Sequence, residues 1–458
     1  MTKIVIIGAG STSFGPTTLA TLLREPKLRG STLALVDTNE ESVALVANVA
    51  EKMNAAWGSE MSIQATTERK EALRGANFVI VSIEVPPREK LWRLDWEVTL
   101  KHGLRQPYGE NGGPGGLMHA CRQIPPFMDI VRDMETLCPD AWLINFSNPL
   151  PRITRAVTKY SRIKTVGKCH QIEVGYAMVG VLLRERLGLE IPDGFNCHSD
   201  PGNIERKHGV AQAARQRVAI KSAGLNHFIW LLDVRDRQTG EDLYPALRAA
   251  LPQVPDSLDL LSMELFRLFG YLPIAGDTHL VEYLPWLHDP LAKPWETYRI
   301  PLYDWGGNEA RREELFQMLA EMAAGGRSVA ELKDVHSEGA AELITAVSHN
   351  ENYYDEAVNI PNRGAIGNLP DEAIVEVPGL VSGWGVRGVQ VGDLPQPIAA
   401  LCRREVDLVE MVVETAVTGD RYLALQTLLL DPMINDIGRA RAILDDYLRT
   451  FAAVLPQF

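Results

Sequence analysis

Two glycines and an aspartate are the residues of this chain whose types and spacing point most directly to chemistry. Gly8-Ala9-Gly10 follows the apolar, β-branched run Ile4-Val5-Ile6-Ile7, and Asp37 closes a second apolar run, Leu33-Ala34-Leu35-Val36. A strand that turns through Gly-x-Gly into a helix presents backbone N–H groups at a helix N-terminus, where they can hold a pyrophosphate. A carboxylate at the end of the next strand can accept hydrogen bonds from an adenosine ribose and would repel a 2′-phosphate. The arrangement predicts a dinucleotide site for NAD in preference to NADP. Gly8, Gly10, Ser11, Phe14, Asp37 and, at the end of a later strand, Asn145 are its expected residues. The match is imperfect, because the third fingerprint glycine falls at Ser13 and Gly15 comes two positions late. A tight turn alone would also use these glycines. Gly10-x4-Gly15 is a near miss for a nucleotide P-loop, but Pro16 stands where that loop needs lysine.

Such a loop needs a parallel sheet to hold it. Residues 4–7, 33–36, 78–81 and 142–146 are short apolar runs of the kind buried on both faces of a parallel sheet. Helical spacing over 17–23 and 40–54 alternates with them, which implies right-handed βαβ crossovers and a doubly wound fold. After about residue 195 the rhythm changes. Residues 218–220 and 229–234 read as strands, 257–270 and 308–324 as helices. The stretch 397–455 reads as amphipathic helices interrupted near Gly419 and Asp431-Pro432. The expected fold is α/β: a Rossmann-type domain over 1–195 and a C-terminal α+β domain over 196–458, packed together without a linker. The second domain would carry substrate, metal and oligomer contacts.

Composition narrows the partners. The 458 residues are 46% hydrophobic and 23% charged, an ordinary globular balance. A net charge of −13 argues against nucleic acid, though a local arginine cluster can still hold a small anion. The five cysteines, at 121, 138, 169, 197 and 402, form no C-x-x-C pair and no disulfide pattern. With no signal-like segment and no run of 18 apolar residues, the expectation is a soluble protein of a reducing cytoplasm, with no membrane partner.

Further motifs follow in order. They are Arg88-Glu89, Asp95, Lys101-His102-Gly103, Gly109-Glu110-Asn111-Gly112-Gly113-Pro114-Gly115-Gly116 and Asn145-Phe146-Ser147-Asn148-Pro149. Then come Gly167-Lys168-Cys169-His170, Gly224-Leu225-Asn226-His227, Gly276-Asp277-Thr278-His279-Leu280-Val281-Glu282-Tyr283, Asn359-Ile360-Pro361-Asn362-Arg363-Gly364 and Glu376-Val377-Pro378. With the opening Gly8-Ala9-Gly10-Ser11, this series resembles glycoside hydrolase family 4 over nearly the whole chain. The resemblance implies a glycosidase outside the usual two-carboxylate scheme. NAD takes hydride from sugar C3, a base removes the acidified C2 proton, and the aglycone leaves C1 by elimination. Water adds and the hydride returns. A divalent metal, usually Mn2+, polarises the oxygens at C2 and C3.

The resemblance also implies roles. Cys169 and His227 would bind the metal, although a buried cysteine and a histidine in a turn are more often plain structural residues. Asp277 is expected as the C2 base, with Tyr283 as rival, and His170 as the leaving-group acid. Asn148 and Glu110 would meet sugar hydroxyls, with Glu110 near the metal. Arg88, Lys168 or Arg363 could hold a carboxylate. Cys169-His170 looks like the branch acting on unphosphorylated α-glucosides, α-galactosides or uronides, but Gln171 matches no subgroup pattern. An α-glucosidase or α-galactosidase ranks first and an α-glucuronidase or α-galacturonidase next, as a homodimer or homotetramer. The rival class is an NAD-dependent 2-hydroxy acid dehydrogenase, since the fold also resembles lactate and malate dehydrogenases. A non-catalytic NAD sensor is the third reading.

Overall fold

The computed structural model describes residues 2–11, 15–197 and 203–458. Its strands are β1 (Lys3–Ile7), β2 (Thr32–Val36), β3 (Ser62–Thr66), β4 (Phe78–Val81), β5 (Trp142–Asn145) and β6 (Lys164–Gly167). They continue with β7 (Val218–Leu225), β8 (Phe228–Asp236), β9 (Leu272–Pro273), β10 (Tyr353–Pro361), β11 (Ile374–Ser382) and β12 (Gly385–Gly388). Among the described residues they form one twelve-stranded sheet in the order β3-β2-β1-β4-β5-β6-β10-β11-β7-β8-β9, with β12 on β11. The first six are parallel. Their order is that of a dinucleotide-binding sheet, with a crevice where the chain leaves β1 for β2 on one side and reaches β4 on the other.

Burial explains why the central strands read so clearly. Side chains alternate along a strand, so Ile4 and Ile6 enter one core and Val5 and Ile7 the other. On the first face lie helices Gly15–Arg24, Glu40–Trp57, Trp305–Ala324 and Ala340–Ser348; on the second lie Gly113–Leu137 and Leu150–Tyr160. The C-terminal helices Gln396–Thr418, Arg421–Leu430 and Ile437–Thr450 extend that second core through Val412, Ile443 and Tyr447. Tyr447 Oη donates to Asp95 O at 2.7 Å, and Asp95 is paired with Arg122 in the interior. The breaks expected near Gly419 and Asp431 are both present.

β6 and β7 are not neighbours, because β10 and β11 lie between them in antiparallel pairing. Gly167 of β6 pairs with Asn359 of β10, Asn359 with Glu376 of β11, and Glu376 with Gly224 of β7. One rung thus crosses four strands. Two of its members must be glycine: a Cβ on Gly167 would lie 2.5 Å from a Leu150 methyl, and one on Gly224 would lie 2.5 Å from Phe228 O. The sheet passes from its parallel to its antiparallel part without interruption.

Candidate active site

The rung sets out the centre of the site. Cys169 follows β6 by two residues, and His227 occupies the tight turn between β7 and β8 with a left-handed φ of +61°. The two meet although 58 residues separate them, with Cys169 Sγ 3.6 Å from His227 Nε2. That separation suits two ligands sharing one cation at bond lengths of about 2.0–2.3 Å. Burial, followed by the charges of His279 and His170, holds the His227 pKa far below the usual imidazole range, so the ring is neutral, as a metal ligand must be. Its Nδ1 is buried with no partner among the described residues. Burial and the nearby Glu376 carboxylate push the Cys169 thiol up to about 12, against donation from the Gln171 N–H and the Asn226 amide. A bound cation would reverse that balance and hold the thiolate. Among the described residues no third His, Cys, Asp or Glu completes a cluster, which leaves coordination positions open, as in catalytic sites. The donor set fits a Lewis-acidic divalent metal.

The cofactor crevice lies at the carboxyl ends of β1, β2 and β4. Gly8 (φ +86°) donates its N–H to Val36 O at 2.9 Å, and Gly10 donates to Asp37 Oδ2 at 2.9 Å. A Cβ on Gly10 would meet that same carboxylate oxygen at 2.9 Å, so the loop and Asp37 are fitted to each other. Asp37 Oδ1 also accepts from Asn39 N at 3.0 Å. Ser11 N–H donates to Gly8 O within the turn. Phe14 lies outside the described residues. Asn145 differs from expectation. It is wholly buried, its amide donating to Ser147 O and Thr154 Oγ1 and its Oδ1 accepting from Ser147 N at 2.8 Å. Its side chain shapes the 145–149 loop and has no free group for a cofactor.

Arg88, Glu110 and Asn148 come together. Glu110 Oε2 accepts from Asn148 Nδ2 at 3.0 Å and from Asn111 at 2.8 Å, while Arg88 Nη2 stands 3.7 Å from Oε1. Burial raises the Glu110 pKa, and Arg88 and His119 oppose the rise. Arg88 also lies over the Trp92 ring at 4.6 Å. A run of ring contacts leads from this group toward the Cys169–His227 pair: His227 stacked on His279 at 4.1 Å, His279 tilted against Tyr108 at 4.6 Å, and Tyr108 edge-on to Tyr303 at 5.1 Å.

Comparison with known proteins gives this geometry a family. The model for the "Family 4 glycosyl hydrolase" matches residues 3–183, and that for the "Family 4 glycosyl hydrolase C-terminal domain" matches residues 222–434. The chain belongs to glycosyl hydrolase family 4. It is 32% identical to an alpha-glucosidase of Erwinia rhapontici, over 97% of this chain and 96% of that one. It is 31% identical to an alpha-galactosidase of Bacillus subtilis (strain 168), over 94% and 93%. Among solved structures, a putative glucosidase of Bacillus subtilis, lplD, superposes with a TM-score of 0.83 at 27% identity, over 98% of this chain and 100% of that one. A 6-phospho-alpha-glucosidase from gut microorganisms, solved with NAD and Mn2+, shares the fold at a TM-score of 0.77 and 22% identity, over 99% of each chain. The 2-hydroxy acid dehydrogenase reading gives way to the family match.

Several expected roles in this family 4 hydrolase change with the geometry. Asp277 is a buried cap: its oxygens accept from Leu261 N, Ser262 N and Ser262 Oγ at 2.7–2.8 Å, at the start of helix Leu260–Phe269. Burial and the Asp259 charge push it up to about 8, a value suited to a base, but its lone pairs are engaged by that helix. Tyr283 is packed against Phe228, and burial drives its hydroxyl far above the usual range, so a phenolate base is disfavoured. Lys168 is spent on Asp355, at 2.7 Å to both oxygens, and on Ala357 O. Arg363 stands exposed in a turn (φ +44°), where its backbone N–H bonds Asp371 O.

His170 keeps its expected place beside Cys169 and gains a partner. Its Nδ1 is 3.0 Å from Glu338 Oε1, and its side chain is 62% exposed. Burial lowers its pKa, but the bond and charge of Glu338 outweigh that and leave a net rise. Glu338 carried no motif signal. Glu282 did lie within a quoted motif but without a role. It accepts from Tyr108 N, Gly109 N and Gly112 N at 2.7–3.3 Å and so holds the loop that carries Glu110.

Proposed function

We propose that this family 4 hydrolase cleaves unphosphorylated α-glycosides by NAD-dependent elimination assisted by a divalent metal, with α-glucosides or α-galactosides as substrates. The observation that carries the reading is the 3.6 Å approach of Cys169 Sγ to His227 Nε2. NAD supplies a hydride acceptor at sugar C3 and the metal polarises the neighbouring oxygens. Cys169 and His227 hold the metal, and the Gly8-x-Gly10 turn with Asp37 holds the cofactor. Asn148 and Glu110 orient sugar hydroxyls. His170, steadied by Glu338, delivers a proton to the departing oxygen. Asp277 can take the C2 proton only by leaving its cap. A neutral sugar is favoured because the three cations expected to hold a carboxylate are otherwise placed: Lys168 on Asp355, Arg363 in its turn, and Arg88 beside Glu84, Glu89 and Glu110. The enzymes of Erwinia rhapontici and Bacillus subtilis named above point the same way.

The same reading divides the chain near residue 195, supported by the change from parallel to antiparallel pairing. It also carries cytoplasmic residence and a homodimer or homotetramer. Among the described residues no helix is long and apolar enough to cross a membrane. Tyr422, Leu430 and Ile437 expose apolar surface on the C-terminal helices, as a subunit contact would use.

A panel of α- and β-linked nitrophenyl glycosides and glycuronides, assayed with and without NAD and Mn2+ under reducing conditions, tests the proposal. Release of nitrophenol from an α-glucoside or α-galactoside, lost when either addition is left out, is the expected result. Cleavage that ignores both additions would overturn the mechanism, and cleavage confined to glycuronides would overturn the sugar. Asp37→Ala is expected to weaken NAD binding about ten- to a hundredfold by calorimetry, since hydrogen bonds to a charged group contribute about 1.5–3 kcal/mol. Equal affinity would show that Asp37 only shapes the loop.

A further inference from the structure

Gln171 has no role in the reading so far, and its surroundings supply one. It stands two residues after Cys169 with only 4% of its surface exposed, and both ends of its carboxamide are used inside the protein. Oε1 accepts the backbone N–H of His227 at 2.9 Å, and Nε2 donates to Glu376 Oε2 at 2.8 Å. The same Glu376 oxygen accepts from Asn226 Nδ2 at 2.8 Å, and Glu376 is wholly buried. Asn226 directly precedes His227, and Gln171 directly follows His170. A single carboxylate on β11 therefore ties the loop after β6 to the turn after β7.

The tie answers a geometric need. With β10 and β11 between them, β6 and β7 lie three strand spacings apart, about 14 Å at about 4.8 Å each. The loops bearing Cys169 and His227 must lean toward each other over the ends of the intervening strands. The His227 turn also holds a left-handed backbone, φ +61°, which disfavours a non-glycine residue. The bond from Gln171 acts on the N–H of that same residue.

We infer that Gln171 and Glu376 are positioning residues for the metal, a hydrogen-bonded clamp that sets the Cys169–His227 separation, and that Gln171 acts in metal affinity instead of sugar recognition. The inference rests on the reading of Cys169 and His227 as metal ligands. Outer partners of metal ligands change affinity by about 10–100-fold when removed. Because the clamp works by hydrogen bonds, an oxygen acceptor at 376 should suffice, with or without its charge.

The test uses the full-length protein with NAD, stripped of metal and titrated with Co2+ and then Mn2+. Thiolate-to-cobalt absorption and calorimetry provide the readouts. Gln171→Ala and Glu376→Ala are each expected to weaken both cations about 10–100-fold, with the double variant no worse than either single one. Glu376→Gln keeps an acceptor and is expected to bind like the wild type. NAD affinity, measured on the same samples, should not change in Gln171→Ala. Wild-type cation affinity in Gln171→Ala, or a changed preference between glucoside and galactoside with metal binding intact, would overturn the inference. So would equal loss in Glu376→Gln and Glu376→Ala. If the wild-type protein gives no thiolate-to-cobalt band, the assignment of the metal pair itself fails, and the clamp with it.

Discussion

Replacing Cys169 by serine is expected to lower turnover about a thousandfold or more while NAD binding stays intact. The substitution removes one atom type and almost no volume, so the β6 loop keeps its shape. What is lost is the sulfur ligand. A serine hydroxyl is a poor anion near neutral pH and cannot replace a thiolate, and His227 alone cannot retain the cation. Lewis-acid polarisation contributes several kcal/mol to such a reaction, and each 1.36 kcal/mol corresponds to a factor of ten. Cofactor binding should be untouched, because Gly8, Gly10 and Asp37 share no hydrogen bond with Cys169. Steady-state assay with saturating Mn2+, together with an NAD titration, checks both halves. Full activity in Cys169→Ser would remove Cys169 from the metal site.

Gly8→Ala is expected to abolish NAD-induced stabilisation and to destabilise the protein by about 2–5 kcal/mol, the sum of a left-handed alanine and an overpacked core site. The new Cβ would lie 1.9 Å from Ser82 O and 2.7 Å from Ser82 C, and both are backbone atoms of the segment following β4. No rotamer change relieves that contact. Either the turn leaves β4, or β4 shifts and disturbs the floor of the crevice. Thermal unfolding with and without NAD separates the effects. The wild type should melt higher with cofactor by mass action, and the variant should melt lower and respond little. A normal response to NAD in Gly8→Ala would mean that the cofactor does not approach this turn.

The half of the protein around Gly8 was legible because its signals are local. The runs at 4–7, 33–36, 78–81 and 142–146 are apolar because both faces of those strands are covered, and Gly8, Gly10 and Asp37 lie within 30 residues of one another. β3 carried no such signal, since it is an edge strand with exposed polar residues. The insertion of β10 and β11 between β6 and β7 leaves no mark on any short window. It is decided by pairing across nearly two hundred residues. Cys169 and His227 approach each other across that insertion, 58 residues apart in sequence, so the family resemblance could name them and spacing could not. Asn145 and Asp277 show the reverse failure. Each has the right residue type at the right strand or helix end, yet its hydrogen-bonding capacity is used by neighbouring backbone. Gln171 matched no subgroup pattern next to Cys169-His170, and its partners, Glu376 on β11 and the His227 N–H, are distant in sequence. Glu282 and Glu338 act on backbone N–H groups and on an imidazole that only tertiary folding brings near.

The rung through Gly167, Asn359, Glu376 and Gly224 also governs the order in which the enzyme can be made. Translation delivers β1 to β6 first, and these alone contain the cofactor turn, Asp37 and the strands beside them. β7 has no place at the edge of that sheet until β10 and β11 have been synthesised, so the partner of Cys169 arrives only after residue 382 leaves the ribosome. A nascent chain therefore passes through a stage that contains the cofactor turn and Asp37 before the strands that separate β6 from β7 exist. Throughout that stage the Cys169 thiol lacks the His227 contact that it has in the finished fold.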